Sequence, residues 1–170
     1  MALKGDRYEG VTDVSFFMND TSANKGGIVC LSTGGSGVAL DQSAAVVTYA
    51  AAASGNIPMG LLLNDMVDID QTRQHINFHK NEVQRGGKVT LLTQGWVVTN
   101  MVVAGINPSA GDPAYLGNAG LLTDVQDATG GNAANPPVGR FLSSEADSLT
   151  AGYLKVNINL PHVTDVEGAL

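Results

Sequence analysis

The sequence predicts a mainly β protein: a small β-barrel or β-sandwich body with an extended N-terminal arm and long glycine-rich loops. Short apolar runs alternate with Gly-rich turns from residue 26 onward, and Gly accounts for 21 of the 170 residues. No long amphipathic helical stripe interrupts this pattern. A chain of this length fits one domain and can bury a core without disulfides or a metal. We therefore divide it into an arm at residues 1–25, a β body at 26–161 and a tail at 162–170.

The predicted arm carries many charged side chains around one apolar patch at residues 14–18. Phe16 and Phe17 are adjacent there, and neighbouring residues of a strand point to opposite faces. Two interpretations stay open. In the first, the segment is an arm that inserts one Phe into a partner while the other Phe packs against this chain's own body. In the second, it is a first strand covered on both faces. An apolar segment too short to fold alone orders when a partner surface covers it. The predicted partner-binding residues of the arm are Tyr8, Val14, Phe16, Phe17 and Met18.

The first half of the body has the sequence pattern of strands separated by turns. Residues 28–31 and 38–40 flank the Gly-rich stretch 33–37 and predict a hairpin. Residues 44–53 are rich in Ala, but they lack the charged face of a surface helix and favour a strand. Residues 57–63 form a near-continuous apolar run with Pro58 at its start, which a strand tolerates.

The second half opens on another hairpin signal, in which residues 89–92 and 96–104 flank Gln94 and Gly95. Trp96, the only Trp of the chain, directly follows this predicted turn. We predict it as a further partner-binding residue, because Trp is enriched at binding hot spots. The alternative, which is slightly favoured, is a strand residue that covers the mouth of the barrel.

Further strands are expected in the C-terminal third of the chain. The runs are short and apolar, and the last of them alternates from Leu154 to Leu160. Residues 127–137 form a long loop rich in Gly, Asn and Pro. The three predicted strand regions are residues 114–122, 139–142 and 152–160.

Charge argues against a nucleic-acid partner. Nine basic and sixteen acidic residues give a net charge of −7, and no Lys or Arg occurs between Lys25 and Arg73 or between Lys88 and Arg140. These two long stretches without a basic residue leave no basic groove that could follow a phosphate backbone. No apolar run is long enough to cross a membrane, and no signal core follows the N-terminus. The sequence predicts neither nucleic-acid nor membrane partners, and folding in a reducing cytosol.

Two groups of side chains have the residue types of a metal site. Asp65, Asp68 and Asp70 could supply oxygen ligands to Ca²⁺, but the Gly and closing Glu of a calcium loop are missing. His75 and His79 have helical zinc spacing, but their segment alternates like a strand, which would separate the two rings by about 13 Å. We therefore predict surface carboxylates and no metal ligands.

Catalytic machinery is also not predicted. The Gly-rich residues 34–37 lack the Lys and the following helix of a phosphate loop. Cys30 lies inside an apolar run and reads as a buried, inert thiol. No nucleophile can be assembled with a base and an orienting group. We expect a protein that is not an enzyme and binds no cofactor.

Several stretches, taken in order and spacing, resemble small capsid decoration (cement) proteins of tailed bacteriophages. They are residues 58–65 (PMGLLLND), 86–92 (GGKVTLL), 95–100 (GWVVTN), 111–116 (GDPAYL), 138–142 (VGRFL) and 152–160 (GYLKVNINL). The similarity covers about residues 26–161. The longer N-terminus and the loop at Gly130 and Gly131 depart from the shortest members, so details of docking do not carry over.

The resemblance implies a structural virion protein on the outer surface of a phage head, assembled in the host cytoplasm. Its implied partners are the major capsid protein, whose neighbouring subunits it clamps, and copies of itself, with a trimer favoured and a dimer as the alternative. A three-fold site would favour a trimer and a two-fold site a dimer. Acidic charge suits a position away from packaged DNA, and low charge density suits surfaces that partners bury. The alternatives are a phage tail or baseplate adaptor and, less favoured, a small-barrel enzyme.

Overall fold

A computed structural model of the protein describes residues 3–32, 46–67, 82–84, 87–127, 134–144 and 152–160. Within these ranges the chain is mainly β, as predicted, and its only helical element is a 3₁₀ turn at Asn118–Gly120. The strands are β1 (Leu3–Asp13), β2 (Phe17–Met18), β3 (Ile28–Leu31), β4 (Val46–Thr48), β5 (Pro58–Leu62), β6 (Asp65–Val67), β7 (Glu82–Gln84), β8 (Leu91–Thr99), β9 (Pro113–Leu116), β10 (Leu122–Thr123), β11 (Pro137–Phe141) and β12 (Leu154–Asn159).

One large sheet organises the described part of the chain around β8. The strand order is β10-β9-β11-β12-β8-β5-β3-β4-β2, and β1 joins β8 as a further partner. One edge of β8 pairs with β5 at Leu91 and Leu92 and then with β12, while β1 runs along the other edge. β6 and β7 form a separate parallel pair. The long strand β8 therefore holds the two halves of the sheet together.

Both ends of the sheet return towards β8 without closing the sheet into a barrel. Phe17 in β2 makes an isolated bridge to Lys88, just before β8 begins, and Val102, just after β8 ends, bridges Leu122 in β10. Neither contact continues as a named strand pair. The sheet is therefore curled and open among the described residues, and it has the strand content of the predicted barrel or sandwich body.

The middle of the sheet is covered on both faces, which explains its long apolar runs. Two clusters of buried side chains lie on opposite sides of β3 and β5. The larger cluster takes Ile28 and Leu61, and the smaller takes their neighbours Val29 and Leu62. Strands buried on both faces read as continuous rather than alternating apolar sequence. The strands predicted at residues 28–31 and 57–63 are confirmed for this reason.

The C-terminal strands show the other pattern. In β12, Leu154, Val156 and Ile158 are buried, whereas Asn157 and Asn159 between them are exposed. One face of this strand packs on the core and the other faces solvent, as its alternating sequence predicts. The strands predicted at residues 114–122 and 139–142 are observed as β9, β10 and β11.

The hairpin predicted at Gln94 and Gly95 is wrong, because both residues lie inside the continuous strand β8. Gly95 has a φ of +151°, and a Cβ built on it would lie 2.1 Å from the carbonyl oxygen of Tyr8. This glycine is needed because β1 passes close to the backbone of β8, so the same residue type marks a close approach and not a turn. Residues 33–45, on which the first predicted hairpin depends, lie outside the described residues.

The extended N-terminal segment is observed as β1, which runs antiparallel to β8. Only Leu3 is buried, and most of the strand is exposed. Register shifts occur between Leu3 and Arg7 and between Glu9 and Val11. The strand is thus attached to the body by its backbone pairing, while most of its side chains remain on the surface.

Candidate partner-binding surface

Tyr8 and Trp96, two of the predicted partner-binding residues, lie directly opposite each other across β1 and β8. Trp96 lies in turn opposite Asn157 of β12. Directly opposed residues of antiparallel strands share one face of the sheet. The next residue along β8, Val97, is buried in the larger core cluster. Tyr8, Trp96 and Asn157 therefore form a row across three strands on the outer face, away from that cluster.

This row lines a shallow cleft of about 470 Å³. Tyr8 is 59% exposed, and Trp96 is half-buried. The Nζ of Lys155 lies 3.7 Å from the centre of the Trp96 ring, within the range of a cation–π contact. Gly10 lets the Tyr8 ring lie close to the sheet, because a Cβ on Gly10 would be 3.1 Å from the ring atom Cε1. The lining of the cleft includes two aromatic side chains, Tyr8 and Trp96, and two glycines, Gly10 and Gly95.

Val14 lies at the corner between β1 and β2 and is 57% exposed. The corner is fixed locally, because the backbone N–H of Ser15 donates to Oδ1 of Asp13 at 2.7 Å. Phe16 follows, half-buried against the smaller core cluster. Its carbonyl oxygen accepts a hydrogen bond from the N–H of Val89 at 2.9 Å. Val14 is thus presented to solvent by a firmly attached turn.

Phe17 and Met18 are not on this surface, which corrects their assignment to a partner. Phe17 is 6% exposed and Met18 fully buried, and both lie in β2, which pairs with β4. Lys88 Nζ also lies 5.6 Å from the centre of the Phe17 ring. Phe17 therefore packs inside this chain, whereas the smaller core cluster covers only part of Phe16. The two adjacent rings are thus divided between the core, where Phe17 lies, and its margin, where Phe16 lies just before β2.

A polar network that the sequence pattern does not predict ties the loop between β2 and β3 to the body. Lys25, 7% exposed, donates its backbone N–H to Oδ1 of Asp65 at 2.8 Å, and its Nζ lies 3.2 Å from Oδ2. The ion pair joins residues forty positions apart. Asp65 is therefore a structural partner of a buried lysine, where the sequence suggested a solvated carboxylate.

Asp20 and Tyr49 continue this network. Asp20 accepts hydrogen bonds from the Thr48 hydroxyl at 2.7 Å and from the Tyr49 N–H at 2.9 Å. The Tyr49 hydroxyl donates to the carbonyl oxygen of Asn24 at 2.6 Å, and burial raises its pKa. These contacts hold residues 20–25 on β4, so we assign the network a structural role.

Cys30 is fully buried in the larger core cluster, and burial raises the pKa of its thiol to about 11. Because thiolate is the reactive form, we expect no labelling by a thiol reagent at neutral pH while the protein is folded. Labelling followed in increasing denaturant should track global unfolding. Fast labelling of the native protein would contradict this burial.

The same thiol makes stability depend on pH. Above pH 9.0, its ordinary pKa, the unfolded chain loses the thiol proton first, so this group lowers the free energy of unfolding as pH rises towards 11.

The remaining candidate ligands of the sequence lie outside the described residues: Asp68, Asp70, His75, His79 and residues 34–37. Among the residues that the structure does describe, no group of three or more His, Cys, Asp or Glu side chains could hold a metal ion. Within the same part of the chain, no helix is long and apolar enough to span a membrane.

No protein-family model matches the chain, and no curated protein matches it.

Proposed function

We propose that this protein decorates the outer surface of a tailed-phage head and stabilises the shell by clamping neighbouring major capsid subunits. The observation that carries the proposal is a concentration of exposed apolar side chains in the N-terminal segment. Of the six large hydrophobic residues exposed in the described part of the chain, three lie within seven positions: Tyr8, Val11 and Val14. An exposed apolar patch with polar surroundings is typical of a protein-binding surface.

Charge and sequence pattern support the same role. The chain carries a net charge of −7, which suits the outside of a shell filled with DNA. Its charged fraction is only 15%, and interface cores are depleted of charged residues. Many copies bound to one shell gain avidity, so a small contact on each copy is sufficient. The resemblance of residues 26–161 to cement proteins agrees with these properties.

The proposal assigns the capsid contact to the corner at Val14 and the half-buried Phe16 beside it. The corner is held by β1 and β2 on either side, so docking would require little ordering of the backbone. Covering an apolar side chain of this size contributes about 1.5–3 kcal/mol. Clamping follows if one copy contacts two neighbouring capsid subunits at once.

Purified, expanded heads with and without the protein provide the test. We expect electron microscopy to show added density on the outer surface, with a copy number that scales with the number of capsomers. Decorated heads should also resist heat better than bare heads. Density confined to one vertex or to the tail would support the adaptor alternative instead, and decorated heads with unchanged heat resistance would contradict the cement role.

We expect Val14→Asp to weaken binding to heads by about tenfold or more, since a charge would replace a covered apolar side chain. Val125→Asp is the matched control, because Val125 is 58% exposed against 57% for Val14 and lies outside the N-terminal segment. Co-sedimentation with heads measures both variants. Equal binding by the two variants would remove Val14 from the contact.

A further inference from the structure

The outer edge of β1 has no strand partner among the described residues. β1 spans 11 residues and pairs with β8 along its other edge only. Nine of the 11 residues carry side chains, and five of those are charged: Lys4, Asp6, Arg7, Glu9 and Asp13. A long open edge presents unpaired peptide groups that another strand can join.

The geometry of β1 shows which peptide groups face outward. The carbonyl oxygen of Tyr8 points at β8, because a Cβ on Gly95 would lie 2.1 Å from it. In an antiparallel pair, inward and outward residues alternate along the strand. Arg7 and Glu9, on either side of Tyr8, therefore direct their peptide groups to the open edge. Register shifts lie on both sides of this stretch, so residues 7–9 are the regular part of the strand.

We infer that a second copy of this chain pairs with this edge, antiparallel to β1, with the two-fold axis passing through Tyr8. An axis normal to the sheet keeps every side chain on its own face, and directly opposed residues must share a face. A residue can then lie opposite its own copy or opposite a residue an even number of positions away. Tyr8 is the midpoint of Leu3–Asp13, and this register centres the pairing on the regular residues 7–9.

Charge complementarity selects the same register. With the axis at Tyr8, Arg7 of each copy lies opposite Glu9 of the other, which gives two opposite-charge pairs. An axis at Asp6, Arg7 or Glu9 would place that charge against itself, which is destabilising. The charges therefore oppose neighbouring registers and favour this one. In the single chain Arg7 already forms an ion pair with Glu9, so two such pairs would meet as a group of four alternating charges.

The same two-fold axis would extend the row that contains Tyr8 and Trp96 into the second copy. Tyr8 lies on the face that carries Trp96, so Tyr8 of the second copy would extend the row to four rings. The N–H and C=O of Tyr8 point towards β8 and away from the second copy. The two Tyr8 residues would therefore form a non-hydrogen-bonded pair, in which side chains approach most closely. Aromatic cross-strand pairs of this kind add to sheet stability. The partner is thus a second copy bound isologously, giving a dimer and not a three-fold ring.

A disulfide at the axis tests the inference on the purified full chain, independently of the proposed role on heads. Opposed residues at a non-hydrogen-bonded position have Cα atoms about 4.5 Å apart, within the range that a disulfide spans. We expect Tyr8→Cys to give a covalent dimer under mild oxidation. Asp6→Cys is the control: Asp6 would face Gly10 of the second copy, so its own copy lies about 13 Å away along the strand. Cys30 is fully buried and does not compete.

Sedimentation of the unmodified protein and a charge swap complete the test. We expect a dimer, and Arg7→Glu should raise its dissociation constant by about tenfold or more, because it sets Glu against Glu9 twice. The double variant Arg7→Glu with Glu9→Arg restores both pairs and should restore the dimer. A chain that stays monomeric or forms a trimer overturns the inference. So does cross-linking of Asp6→Cys as readily as Tyr8→Cys, or of Tyr8→Cys to the capsid protein on heads but not to its own copy.

Discussion

Phe17→Ala is expected to lower the free energy of unfolding by about 3–5 kcal/mol, the usual range for removing a buried Phe. The ring is 6% exposed and lies in β2, whose pairing with β4 completes one end of the large sheet. Its loss would leave a cavity beside Lys88, whose Nζ now lies over the ring. Denaturant unfolding of the isolated protein, followed by circular dichroism, measures the change.

Phe16→Ala is the matched control for this experiment, because it removes the same ring one position earlier. Phe16 is half-buried against the smaller core cluster, so we expect a loss of about 1–2 kcal/mol from its smaller covered area. The two variants should therefore differ clearly in stability. Equal losses, or a stable Phe17→Ala protein that fails only to bind heads, would return Phe17 to the partner-binding set.

Gly95→Ala is expected to destabilise the protein by about 2–4 kcal/mol, through backbone strain and overpacking together. The added Cβ would lie 2.1 Å from the carbonyl oxygen of Tyr8, and moving backbone costs more than moving the end of a flexible side chain. We expect β1 to shift away from β8, which would disturb the row of Tyr8 and Trp96. Thermal unfolding measures the stability, and Trp96 fluorescence reports the local change because it is the only Trp.

Gly105→Ala separates the clash from the conformational strain. Gly105 also has a positive φ, of +84°, but a Cβ there would meet nothing within 4 Å. Its substitution should cost about 1–2 kcal/mol and leave Trp96 fluorescence unchanged. If both glycine variants behave alike, close approach of β1 to β8 is not the reason for Gly95.

Capsid docking and self-association use different parts of the N-terminal segment in these proposals. Val14 and Phe16 lie at the corner after β1, whereas pairing of two copies uses residues 7–9 in the middle of the strand. Variants at the two places should therefore separate the two activities. A variant at Val14 should still form the dimer, and the Arg7→Glu variant should retain the corner that contacts the shell.

The sequence by itself determined the mainly β class and most strand positions. It could do so because alternation in β12 and continuous apolar runs in β3 and β5 are local signals of one-sided and two-sided burial. It also identified Tyr8, Val14 and Trp96 as unusual residues, and the structure places Tyr8 and Trp96 side by side. Composition and residue pattern are sufficient for such predictions, because burial of one or both faces of a strand directly sets the order of apolar and polar residues along it.

Tertiary structure alone decided three other points. Which of the two adjacent Phe rings is buried depends on the pairing of β2 with β4, and a strand by itself has two equivalent faces. Gly95 serves a close approach between β1 and β8, which local sequence does not distinguish from a turn. Lys25 and Asp65 are forty residues apart, and their pairing arises only because the fold buries the lysine beside a carboxylate. Contacts between distant segments carry no local periodicity, so the sequence pattern cannot reveal them.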